Sequence, residues 1–244
     1  MALAGGDGGS RAGDVPLFAI CAFLVFSIQW ACFVPAWLTH TERFFDLVGS
    51  ATYLTVIAIA VLASQSIGSR SMALGSMVAI WALRLGTFQF ARVLSAGQDR
   101  RFNVMKLRFA WFLMTWTLQG LWVLLTAGAA LASITASDSK PFGWFGVAGL
   151  VIWAVGLAIE VVADNQKRRF RAVSGNRDQF ICNGLWSWSQ HPNYFGEIML
   201  WVGIAVVAFP TLSGWQYATL ISVSYTHLRA HETLRYLVCR LLLE

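Results

Sequence analysis

The stretch GLWSWSQHPNYFGE, from Gly184 to Glu197, holds the residues best suited to chemistry. Pro192 fits the first turn of a helix, where its missing N–H leaves no intrahelical bond unmade. Asn193 and Glu197 then stand four apart on one helical face, and Gly196 allows a neighbouring backbone to come close. Glu197 opens an otherwise apolar run. A carboxylate without a partner is expensive there, so it should accept hydrogen bonds from a partner or ligand. His191 alone reads as an interfacial histidine, with Tyr194 beside it. A helix start, an amide and a carboxylate together read as one wall of a polar pocket.

A second set supplies the opposite wall. Glu160, Asp164, Arg168 and Arg171 are spaced i, i+4, i+8 and i+11, which makes one stripe if their helix continues beyond the membrane surface. Spacing alone favours a salt-bridged, solvated helix end. Planar guanidinium groups at that end suit phosphates, which they grip in bidentate fashion. Asp164, Asn193 and Glu197 suit ribose hydroxyls or a carboxamide. The pattern fits an adenine-type cofactor held without a soluble nucleotide-binding domain, since no GxGxxG or Walker pattern is present. Further along, Arg84 and Arg92 lie eight apart inside an apolar run, near one face. Arg92 is placed to snorkel to the surface. Arg84 lies deeper, and Asp46 or Glu160 is a candidate ion-pair partner.

These groups must be positioned by helices in a bilayer. The chain has 244 residues, 57% hydrophobic and only 12% charged, with a mean hydropathy of +0.60. That is about half the charge of a soluble domain, which excludes a soluble enzyme, a disordered chain and a disulfide scaffold. The 12 Trp and 17 Phe suit the aromatic belts of a membrane protein. Apolar runs long enough to span are expected near 16–38, 47–68, 71–96, 108–135, 142–163 and 194–209, with a further apolar start at 213–222. The expected fold is therefore an all-α, polytopic bundle of six to seven transmembrane helices, the last one truncated or replaced. The first span is too long for a signal peptide, and Trp37-Leu38-Thr39 is no cleavage site. Gly-rich residues 1–15 are expected to fray.

The charge balance is +6, and its distribution speaks against nucleic acid. Loops after the first, third and fifth spans carry Arg43, then Arg100, Arg101, Lys106 and Arg108, then Lys167, Arg168, Arg169, Arg171 and Arg177. The opposite side has Arg11, Arg70 and Lys140. By the positive-inside rule the N-terminus lies outside and the polar pocket faces the cytoplasm. Cys21, Cys32, Cys182 and Cys239 form no metal or disulfide pattern.

At these residues the sequence resembles the bacterial DUF1295 proteins, of the steroid 5-alpha-reductase-like membrane superfamily. The matching stretches include Asp164 to Lys167, Phe170, Gly184 to Trp186 and the specific block His191 to Glu197. In the first half they include Phe45 to Ser50, Trp81 to Gly86 and Gly97 to Phe102. The resemblance covers about residues 40–222. It implies a seven-helix bundle binding NADPH from the cytoplasmic side. By position it gives Asp164, Arg168, Arg171, Asn193 and Glu197 as cofactor contacts, with His191 and Tyr194 as neighbours. The implied chemistry is hydride delivery to the β carbon of an enone in a lipid- or steroid-like substrate from the bilayer, in a bacterial inner membrane. Asp46 and Arg84 are the candidates for holding the carbonyl. The implied site uses no metal. Isoprenylcysteine methyltransferases, which use S-adenosylmethionine, share a related element, but Gln190 stands where they carry arginine before the His-Pro pair. A non-enzymatic lipid-binding membrane protein is the third reading. Residues 223–244 resemble translated library-adapter sequence and are expected to be a non-native tail.

Overall fold

A computed structural model describes residues 2–65, 67–96, 102, 104–138, 140–176 and 179–220. Six of its helices are long and apolar enough to cross a membrane. They are α2 (Leu17–Leu38), α3 (Phe45–Ala63), α4 (Ser69–Ala96), α5 (Phe109–Ile134), α6 (Gly143–Ala172) and α7 (Pro192–Ala208). A helical membrane bundle follows from the sequence because a bilayer offers no partner for open backbone groups, so each apolar run must satisfy its own. At the expected seventh start, Gly214–Tyr217 form a 3-10 turn and 218–220 are helical. The tail from 223 onward lies outside the described residues, as do Gln98, Arg100, Arg101 and Arg177.

Within the single membrane domain expected over 16–222, the chain forms two compact units. The first comprises the described residues up to Pro141 and those from Ala208 onward; the second is Phe142–Val207.

In the first unit α3 packs on α4, α2 and α5. Small residues set the spacing: a side chain at Gly86 would strike Ser50 at 2.7 Å. An aromatic cluster of Phe33, Phe102, Phe112 and Trp116 fills one end, with Phe45 against it. Polar side chains cross the interior. Gln29 donates to Thr52 Oγ1 at 2.9 Å, and Tyr53 Oη lies 2.5 Å from Thr126 Oγ1.

The N-terminal segment makes bonds to later parts of the first unit. It forms a short helix α1 (Ala2–Gly5) and a hairpin of β1 (Arg11–Ala12) with β2 (Val15–Pro16). Ser10 N–H donates to Thr135 O at 2.6 Å, and Gln216 Nε2 donates to Asp7 O at 2.7 Å. Glycine is flexible when its backbone groups face water. Here those groups are taken up by the ends of α5 and of the 3-10 turn, which offsets the entropy of ordering them.

In the second unit α6 and α7 lie against each other along glycines. A Cβ at Gly149 would lie 2.6 Å from Gly203 O, and one at Gly196 would lie 2.6 Å from both Glu160 N and Gly156 O. Only hydrogen fits at such contacts, so the two backbones touch over several turns.

Candidate functional site

The polar cluster belongs to the second unit. α6 does run beyond its apolar part, to Ala172, so Glu160, Asp164, Arg168 and Arg171 lie on one continuous helix. Its lower half is not a solvated helix end: Glu160 is 4% exposed and Asp164 8%. Arg168 and Arg171 are exposed, and Arg168 Nη2 donates to Asn165 Oδ1 at 3.0 Å. The stripe therefore divides into a buried acidic part and an exposed basic part.

α7 starts at Pro192, as the proline predicts, and its first two turns carry Asn193 and Glu197 on one face. The contact of Gly196 with the backbone of Glu160 fixes the level of these turns against α6. Asn193 Oδ1 is buried without a hydrogen-bond partner. A buried amide oxygen left so costs about 1–3 kcal/mol, and a donor from a ligand or water would recover it. Asn193 and Glu197 are half-buried, as is His191, whose ring meets Tyr194 edge-on at 5.7 Å.

The connection between α6 and α7 is pinned to the side of α6. Trp186 Nε1 donates to Ala163 O at 3.0 Å, and Leu185 N–H donates to Gln166 Oε1 at 3.0 Å. Gly184 has φ +64, and Gln166 occupies the space a Cβ would need, 2.5 Å away. A left-handed backbone against a filled neighbour requires glycine on both counts. Lys167 lies over the Trp186 ring at 4.8 Å. The positioning role of Gln166 was not legible in the sequence, where a glutamine between Asn165 and Lys167 looks like ordinary surface.

The two residues expected to act on substrate are in the first unit. Asp46 is in the first turn of α3, and its Oδ2 faces Arg92 Nη2 at 3.5 Å. Arg92 is half-exposed, consistent with snorkelling, yet also paired. Arg84, half-buried on α4, holds its guanidinium 5.5 Å from the Phe88 ring. A second acid was missed here. Glu42 is 4% exposed and accepts from Lys106 Nζ at 2.9 Å. It precedes α3 in a stretch that reads as a polar loop, so no intramembrane signal marks it.

The profile of the family described as "Protein of unknown function (DUF1295)" matches residues 32–236. Among curated proteins the chain is 27% identical over 85 residues to "3-oxo-5-alpha-steroid 4-dehydrogenase 1" of Bos taurus, covering 34% of this chain and 33% of that protein. It is 35% identical over 72 residues to "Steroid 5-alpha-reductase DET2" of Gossypium hirsutum, covering 30% and 28%. The Mus musculus "3-oxo-5-alpha-steroid 4-dehydrogenase 1" matches at 28% over 85 residues. These matches span about a third of each relative's length. No solved structure matches.

Proposed function

We propose that this chain, which belongs to the DUF1295 family, is a membrane-embedded, NADPH-dependent reductase of the C=C bond of a lipid- or steroid-like enone. The observation that carries the reading is the buried acid-and-amide cluster of the second unit, with the Asn193 oxygen buried and short of a donor, on a helix that continues into exposed arginines. The steroid reductases among the matched relatives support the reaction class.

The residues present fit such a cofactor. Arg168 and Arg171 would hold its phosphates, since exposed guanidinium groups at a helix end bind them with little desolvation cost. Asp164, Asn193 and Glu197 would hold ribose hydroxyls and the carboxamide, and Asn193 Oδ1 would gain the donor it lacks. His191 and Tyr194 would border them. When bound, NADPH supplies the hydride for the β carbon of the enone. Arg84 would hold the substrate's carbonyl oxygen and favour negative charge there, and Asp46 would hold Arg92 on the same helix. The membrane spans give a hydrophobic substrate access from the lipid. The reading places the N-terminus outside a bacterial inner membrane and the cluster on the cytoplasmic side, where NADPH is available.

Ligand-dependent thermal protection of the detergent-solubilised protein tests this. NADPH should raise the unfolding temperature of the chain, and the Asn193→Ala, Glu197→Ala double variant should lose the effect. Protection by S-adenosylmethionine in place of NADPH would assign the chain to methyl transfer. Equal protection of both variants would leave the cluster without a cofactor role.

A further inference from the structure

The connection between α6 and α7 carries a surface that the proposed reaction does not use. Phe180 is 88% exposed and Trp188 90% exposed, among the most open aromatic side chains described. Large apolar side chains so fully in water normally mark a partner or a lipid phase. The end of α6, to which this connection is bonded, carries the exposed Arg168, Arg169 and Arg171. The fold fixes the depth of the Trp186–Trp188 end of this connection. A hydrocarbon core about 30 Å thick takes about 20 helical residues at 1.5 Å each, so α6, entering at Gly143, leaves it near residue 162. Trp186 is bonded to Ala163 O, at that boundary, and Trp188 is two residues further along. The connection thus folds back to headgroup depth instead of projecting into water. Tryptophan there has its preferred position, and basic residues there meet anionic headgroups.

We propose that residues 179–190 lie in the headgroup layer of an anionic leaflet, with Phe180 and Trp188 inserted among the acyl chains and Arg169 on lipid phosphate. Arg169 is chosen because the cofactor reading does not use it, so the inference stands or falls apart from that reading. The occupant is anionic lipid, not a protein partner. Trp188 follows closely on the residue bonded where the helix itself enters lipid, and the charge on the exposed side chains at 167–171 is entirely basic.

Cys182 lies between the two aromatics and is exposed, which supplies a reporter position. In a chain with Cys21, Cys32 and Cys239 replaced by alanine, a nitroxide on Cys182 is read by oxygen, which concentrates in lipid, and by a water-soluble nickel chelate. In vesicles of phosphatidylcholine with phosphatidylglycerol, the label should be relaxed by oxygen and shielded from nickel. The Phe180→Ser, Trp188→Ser double variant should shift it to nickel-accessible water, with unchanged helicity by circular dichroism. Arg169→Gln should make the signal independent of phosphatidylglycerol content. A label in water in the parent chain overturns the proposal. So does a depth that is the same in pure phosphatidylcholine, which would remove the anionic lipid.

Discussion

The contact between α6 and α7 makes a sharp prediction at Gly196. A Cβ there would sit 2.6 Å from Glu160 N and from Gly156 O, both backbone atoms that no rotamer change can move. Ordinary carbon contacts begin near 3.5 Å, so Gly196→Ala must part the helices by on the order of 1 Å at this level. Overpacking of this kind costs about 1–3 kcal/mol. The displacement also falls between Asn193, three residues before, and Glu197, the next residue, and so moves both relative to Asp164. Misplacing hydrogen-bonding groups by that distance should weaken NADPH binding at least about tenfold, or 1.4 kcal/mol. Gly203→Ala is the control. Its Cβ would meet Gly149 O and Trp153 N at the same 2.6 Å, two turns deeper. Both variants should lose similar unfolding temperature, but Gly203→Ala should keep NADPH-dependent protection within about threefold of the parent. The reasoning is refuted if Gly196→Ala and Gly203→Ala lose equal cofactor affinity. An unchanged unfolding temperature in both would refute the close packing itself.

Other substitutions report on single interactions. Arg171→Glu should weaken NADPH more than NADH if this guanidinium meets the 2′-phosphate, measured as the ratio of the two dissociation constants; equal weakening rejects that role. Thr52→Val removes the acceptor of the fully buried Gln29 amide and should destabilise the first unit by about 1–3 kcal/mol, read from detergent-titrated unfolding. Gln29→Leu combined with Thr52→Val should be near neutral in the same assay, because the pair removes donor and acceptor together. Lys106→Met leaves the Glu42 carboxylate without its 2.9 Å lysine contact and should lower the unfolding temperature, an effect that Glu42→Gln in the same chain should largely restore.

The six spans were legible because a bilayer demands long apolar runs, and the runs give their own lengths. The start of α7 was legible from Pro192. The helical stripe Glu160 to Arg171 was legible from its spacing, but its division into a buried and an exposed half was not. Burial of Glu160 comes from Gly156 and Gly196 bringing α7 onto α6, and a one-dimensional pattern does not state which glycines meet. Gln166 and Trp186 stand in family-like stretches, but their positioning role is not legible there for a related reason: each matters through one bond across the connection. Glu42 looked like a loop residue because its lysine partner is 64 positions away. The partners of the N-terminal segment around Thr135 and Gln216 were not legible because composition describes a chain in water.

The bonds from Gln216 to Gly5 and Asp7 join residues more than two hundred positions apart, on either side of the stretch Phe142–Val207. A ribosome therefore delivers the first four spans well before the Gly214–Tyr217 turn that clasps the amino end exists. Ser10 can meet Thr135 once α5 is made, but Gly5 and Asp7 must wait for the chain beyond α7, and a stall or truncation before Gln216 would leave that clasp unformed.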